Sequence, residues 1–230
     1  HQGEAEALLR ILAGKEVGAR GLVEALHAAP EIQLEGTDSK VHVVALGVEL
    51  AVGGGQIGRR QRGGTLGAES GTLAIMVGGK TADFERVRPL FSVFGRATHV
   101  GPHGCGQLAK LANQMIVGIT IGAVAEALLL AQRGGADPAK VRQALRGGFA
   151  ESRILEVHGQ RMVDGDFAKR GSLAIQLKDL RNALHTASGL SFDAPITAHL
   201  TDLYAQAADH GFGDLDQSGL FKELERRQLR

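Results

Sequence analysis

The sequence has no Trp, a single Tyr and a single Cys in 230 residues. With Cys105 alone, no intrachain disulfide can form, and a cytoplasmic setting is expected. Surplus charge is also missing. Lys plus Arg number 26 and Asp plus Glu 25, a formal net charge of +1. A dedicated nucleic-acid binder draws most of its affinity from excess cations, so no nucleic-acid partner is expected. No basic-then-apolar leader opens the sequence, so no secretory signal is read. The His residues show no ligand spacing, and His103 with Cys105 has no second pair beside it, so no metal is expected.

The scarcity is uneven along the chain. Residues 1–75 contain no Phe, Tyr, Trp, Met or Cys. Large side chains supply most of the burial in a compact domain, so this third is poorly equipped to make its own core. Over the whole chain the composition suffices for a globular protein: 43% hydrophobic and 22% charged residues.

The pattern predicts short amphipathic helices over 4–13 and 19–28, with Pro30 ending the second. A Val-rich strand is expected over 41–52 and a buried strand over 71–77. A helix capped by Thr81 or Asp83 should then run to Phe94, followed by a strand over 97–100. Strand, helix, strand and long helix make an α/β order.

From Gly106 to Arg133 only small residues interrupt a helix of roughly 40 Å. Its apolar stretch, 115–131, falls short of the ~20 residues a bilayer needs and contains Glu126. The reading is a central rod in a helical domain, with no membrane partner. Gly118 and Gly122 form a GxxxG step that permits close approach by another helix. Further helices are expected from Asp137-Pro138 to Gly147, over 173–189, from Pro195 to Gly211, and from Asp216 through Leu224. The fold class is therefore an α/β part, 1–103, followed by an all-α domain with one long central helix, 104–230.

Three stretches invite chemistry. Residues 53–58, Gly-Gly-Gly-Gln-Ile-Gly, match the GxGxxG spacing of dinucleotide loops. The Arg-rich run behind them is a poor helix, so a flexible linker is the stronger reading. The second stretch is 104–114, a glycine turn entering the long helix. Lys110 and Asn113 are three apart and share a face one turn in. A Lys there can protonate a carbonyl oxygen while an amide holds the substrate. The competing reading is a Lys whose stem lies along a buried helix while its amine reaches water. In the third, Lys178-Asp179, the Lys lies beside an apolar stripe, which reads as a solvated flank with a local ion pair.

Residues 63–79 (GGTLGAESGTLAIMVGG), 104–114 (GCGQLAKLANQ), 125–128 (AEAL), 177–180 (LKDL) and 213–218 (GDLDQS) resemble, in order, the β-hydroxyacid dehydrogenase family. That family includes 3-hydroxyisobutyrate dehydrogenase and 2-hydroxy-3-oxopropionate reductase. The resemblance implies a Rossmann-type domain followed by an all-α domain, NAD or NADP as cofactor, and a small semialdehyde or oxo acid reduced to its 3-hydroxy acid. It makes Lys110 the catalytic Lys. Asn113 and Gln114 would bind the substrate, and Gly63 and Gly64 would belong to the substrate loop. Lys178 would reach cofactor and substrate, its charge lowering the pKa of Lys110. A homo-oligomer built through the long helix is also implied. Residues 1–62 carry no family fingerprint, and Arg62 stands where the family has Ser. The Rossmann part thus reads as incomplete or aberrant, with a rearranged reading frame upstream of Gly63 as the suggested origin. The alternative function is an inactive remnant serving only as a helical dimerisation module.

Overall fold

The structure is a computed structural model that describes residues 31–33, 40–46, 72–92 and 95–229. The expected helices over 4–13 and 19–28, the glycine run 53–58 and the Gly63-Gly64 pair lie outside these residues. The chain divides into two units, His1–Lys110 and Leu111–Arg230. The division falls inside the long helix, seven residues beyond the 103/104 boundary read from sequence.

The first unit holds a four-stranded sheet in sequence order, with β1 at Glu31–Gln33, β2 at Lys40–Leu46, β3 at Leu73–Gly78 and β4 at Gly95–Gly101. Helix α1, Thr81–Phe91, joins β3 to β4. These last two strands are parallel, with Ile75 opposite Ala97, and form the Rossmann-type βαβ unit. Leu73, Ile75 and Val77 alternate inward and are at most 2% exposed. They form a core with Phe84, Val87 and Phe91 of α1.

The sheet is not parallel throughout. β1 pairs antiparallel with β2, and β2 antiparallel with β3, so the parallel sense is confined to β3 and β4. The six residues between β1 and β2 allow a hairpin but are too few for a parallel crossover. The expected start and end of α1 are corrected. Neither Thr81 nor Asp83 caps it. Lys80 holds the cap position without a side-chain bond, and the helix stops at Phe91, before Phe94.

Helix α2, Cys105–Arg133, starts against the end of β3. A Cβ on Gly78 would come within 2.7 Å of the Pro102 carbonyl oxygen and 2.9 Å of the Gly106 nitrogen. The absence of a side chain at 78 therefore lets the start of α2 pack closely on the end of β3.

The second unit is all helical: the rest of α2, then α3 (Pro138–Leu145), α4 (Arg153–Asp164), α5 (Leu173–Gly189), α6 (Pro195–Ala207) and α7 (Leu220–Arg227). Asp137 caps α3 as expected, accepting from the amides of Ala139 and Lys140. Asp216 caps a short 3-10 turn, Gln217–Gly219, that leads into α7. Helix α4 was not foreseen, although Ser152 caps it through the Leu155 amide and Gly165 ends it in the left-handed region.

The core gathers Ile121 and Leu128 of α2, Leu173 and Leu180 of α5, Tyr204 of α6 and Leu220 of α7, all at most 1% exposed. The GxxxG step admits two different helices. A Cβ on Gly118 would meet Gln176 and Leu180 of α5, and one on Gly122 would meet Leu200 of α6.

Candidate active site

Helix α2 carries Lys110, Asn113 and Gln114 within its second and third turns. Positions 110, 113 and 114 differ by three and four, so they share one helix face. Lys110 is half-buried, as are both amides.

In the helical unit a chain of hydrogen bonds runs from α2 to α5. Asn113 Nδ2 donates to Gln114 Oε1 at 3.0 Å. Gln114 Nε2 donates to Asp179 Oδ2 at 2.7 Å. Lys178 Nζ stands 3.7 Å from Asp179 Oδ1. Asp179 as a carboxylate can only accept, so the direction of the whole chain is forced. Gln114 must turn its nitrogen to Asp179 and its oxygen to Asn113. Asn113 then keeps its own oxygen and one N–H for a ligand.

Lys178 is 67% exposed at its side chain, so its amine is open to an anionic group. Lys178-Asp179 does form the local ion pair expected of a solvated flank. Asp179 is nonetheless only 16% exposed, and it anchors the predicted substrate amides.

Sequence reasoning missed Asp179 and Gln176 as parts of this arrangement. Gln176 is fully buried, and its Nε2 donates to the Gln114 carbonyl at 2.9 Å. Its position held a signal, since it is the polar member of a face otherwise made of Leu173, Leu177 and Leu180. Asp179 had no comparable signal beyond its neighbour Lys178.

Two other features of this unit lie away from the amide chain. A cavity of about 370 Å³ opens between Leu128, Met162, Phe167 and Phe221, and none of the described candidate site residues lines it. Asp216, fully buried, accepts from Arg161 at 3.0 Å and from the Ser218 hydroxyl at 2.7 Å, with His158 Nδ1 at 3.4 Å. Burial by itself would raise its pKa. The nearby His158 ring, the Ser218 bonds and the charge of Arg161 outweigh burial and hold the carboxyl well below its ordinary range.

Residues 104–224 match the model for the NAD-binding domain of NADP-dependent 3-hydroxyisobutyrate dehydrogenase. Residues 53–104 match the NAD-binding domain of 6-phosphogluconate dehydrogenase. The chain belongs to the NAD(P)-dependent β-hydroxyacid dehydrogenase family.

Among relatives, 2-hydroxy-3-oxopropionate reductase of Escherichia coli is 50% identical over 175 residues, 76% of this chain and 60% of that protein. A probable 3-hydroxyisobutyrate dehydrogenase of Mycobacterium tuberculosis is 33% identical over 243 residues, 97% of this chain and 80% of that protein. Among solved structures, 3-hydroxyisobutyrate dehydrogenase of Salmonella typhimurium superposes with a TM-score of 0.63 at 28% identity. It covers 69% of this chain and 56% of that one. The chain thus spans 60% of the length of its E. coli relative. The likeness also begins earlier than Gly63, the edge read from sequence, since a family model reaches residue 53 and the mycobacterial relative aligns with nearly the whole chain. The family's cofactor is NAD or NADP.

Proposed function

We propose that this chain reduces a small semialdehyde or oxo acid to its 3-hydroxy acid with NADH or NADPH, in the manner of a 2-hydroxy-3-oxopropionate reductase. The observation that carries the proposal is the directed chain Asn113–Gln114–Asp179, which begins on the helix that bears Lys110 and ends on α5. The 50% identity to the E. coli reductase supports the substrate class.

In this proposal Asn113 and Gln114 hold the substrate, with the free Asn113 oxygen accepting a substrate hydroxyl and its remaining N–H donating to a substrate oxygen. Lys110, one turn earlier on the same face, gives the proton to the oxygen that becomes the alcohol. Lys178 pairs with an anionic group of cofactor or substrate, and Gly63 and Gly64 belong to the substrate loop. A nicotinamide, when bound, would supply the hydride that the carbonyl carbon accepts. The protein's own part is orientation and the acid.

A second copy of the chain is the proposed partner. Only 39% of the most apolar window of α2 is buried. Ile116 and Leu130 are 66% and 73% exposed, and the small Ala123 lies midway between them, exposed as well. These three are spaced by seven residues on one face, a seam suited to another helix. The helix also has the length and composition to cross a bilayer. Glu126 in the middle of its exposed side favours a protein partner. A cytoplasmic location completes the proposal.

The test is oxidation of NADH and of NADPH with 2-hydroxy-3-oxopropionate and with a branched semialdehyde as substrates, beside a cofactor titration followed by fluorescence. Turnover with either substrate supports the proposal. Absence of turnover contradicts it, and absence of cofactor binding as well returns the remnant reading.

A further inference from the structure

Gln176 is an unusual choice for its place. It is fully buried on a face of α5 otherwise made of leucines, yet its Oε1 has no hydrogen-bond partner among the described residues. An unpaired buried carbonyl oxygen is unfavourable, and replacing the amide by an apolar group of like shape removes the penalty. Met has the right length and flexibility. Packing alone would therefore favour Met at this position.

The bond that Gln176 does make is not needed by the backbone. Its Nε2 reaches the Gln114 carbonyl, which helical geometry already pairs with the amide of residue 118. Room for that approach comes from Gly118, where a Cβ would stand 2.7 Å from the same Nε2. One turn further along α5, Asp179 takes the Gln114 side chain. Helix α5 thus holds Gln114 at both ends, main chain by Gln176 and side chain by Asp179.

We infer that Gln176 is a positioning residue, which locks Gln114 against α5 so that the amide pair Asn113–Gln114 is presented to the substrate in one orientation. It acts through Gln114 and has no contact with substrate of its own. This rests on the functional reading above, in which those amides bind the oxo acid. The consequence for specificity is that Asn113 offers one acceptor and one N–H, and Gln114 one further N–H, in fixed places, so the amide pair discriminates by the pattern of oxygen groups on the substrate.

The test compares wild type, Gln176→Met and Gly118→Ala. The first substitution removes the amide, and the second displaces it with residue 176 intact. Both are expected to raise KM for the oxo acid about tenfold, the size of one lost well-placed hydrogen bond. Cofactor affinity should hold, and kcat should change by less than about threefold. Gln176→Met should keep or raise Tm, which a purely structural role would not allow. The side-chain amide protons of Asn113 and Gln114, followed by NMR, should exchange faster in both variants. A lowered Tm with KM and amide exchange unchanged overturns the inference. Should wild type show no turnover, the functional reading fails by itself, and amide exchange still decides the role of Gln176: faster exchange upholds the locking, unchanged exchange overturns it.

Discussion

Gln114 donates its side-chain amide to Asp179 at 2.7 Å, and this bond sets the direction of every hydrogen bond between α5 and Asn113. Asp179 can accept and cannot donate, so the two amides have one arrangement available. Asp179→Asn keeps the shape and lets both amides flip. We expect KM for the oxo acid to rise about tenfold, with Tm within a few degrees of wild type, because the group lost is one charge-assisted bond at a partly exposed position. Steady-state kinetics beside thermal unfolding checks this. An unchanged KM would mean that the direction of the chain has no bearing on binding.

The Asp216 cluster predicts a pH dependence of stability that is separate from the site. The folded carboxyl has a pKa below its unfolded value of 3.8. Its stabilising contribution is therefore complete above that value and disappears as pH falls through the folded pKa. Asp216→Asn should destabilise by about 3 kcal/mol at neutral pH, since Arg161 and Ser218 lose their buried carboxylate. The gap between wild type and variant should narrow as pH drops below 3.8. Urea unfolding at several pH values measures it, and a gap independent of pH would contradict the account.

The exposed seam on α2 predicts an assembly. Ile116→Glu with Leu130→Glu puts two carboxylates where a partner helix would press, a burial that costs several kcal/mol by rough estimate. Light scattering on the eluting protein should show the wild type as a multiple of 24.1 kDa and the double variant as one chain. A wild type already at the mass of one chain would contradict the proposed partner.

The helical half was legible because its punctuation is chemical. Asp137-Pro138, Pro195 and the spacing of Leu173, Leu177 and Leu180 each dictate a local geometry, and the helices follow. Helix α4 carried equal punctuation in Ser152 and Gly165 and was passed over. The direction of β1 and β2 was not legible, since alternation along a strand says which side is buried and nothing about its neighbour's sense. Lys110 and Asn113 could be named from spacing along one helix. Asp179 could not, because its bond to Gln114 crosses 65 positions and exists only once α2 and α5 are packed.

In the proposed reaction the amine of Lys110 delivers the proton. The most direct measurement is kcat for NAD(P)H-dependent reduction of 2-hydroxy-3-oxopropionate by Lys110→Met, with cofactor affinity measured on the same preparation. We expect kcat to fall by roughly 10²–10⁴-fold, the usual worth of a positioned general acid, while the cofactor binds as to wild type. A Lys110→Met protein that turns over within about threefold of wild type would contradict it.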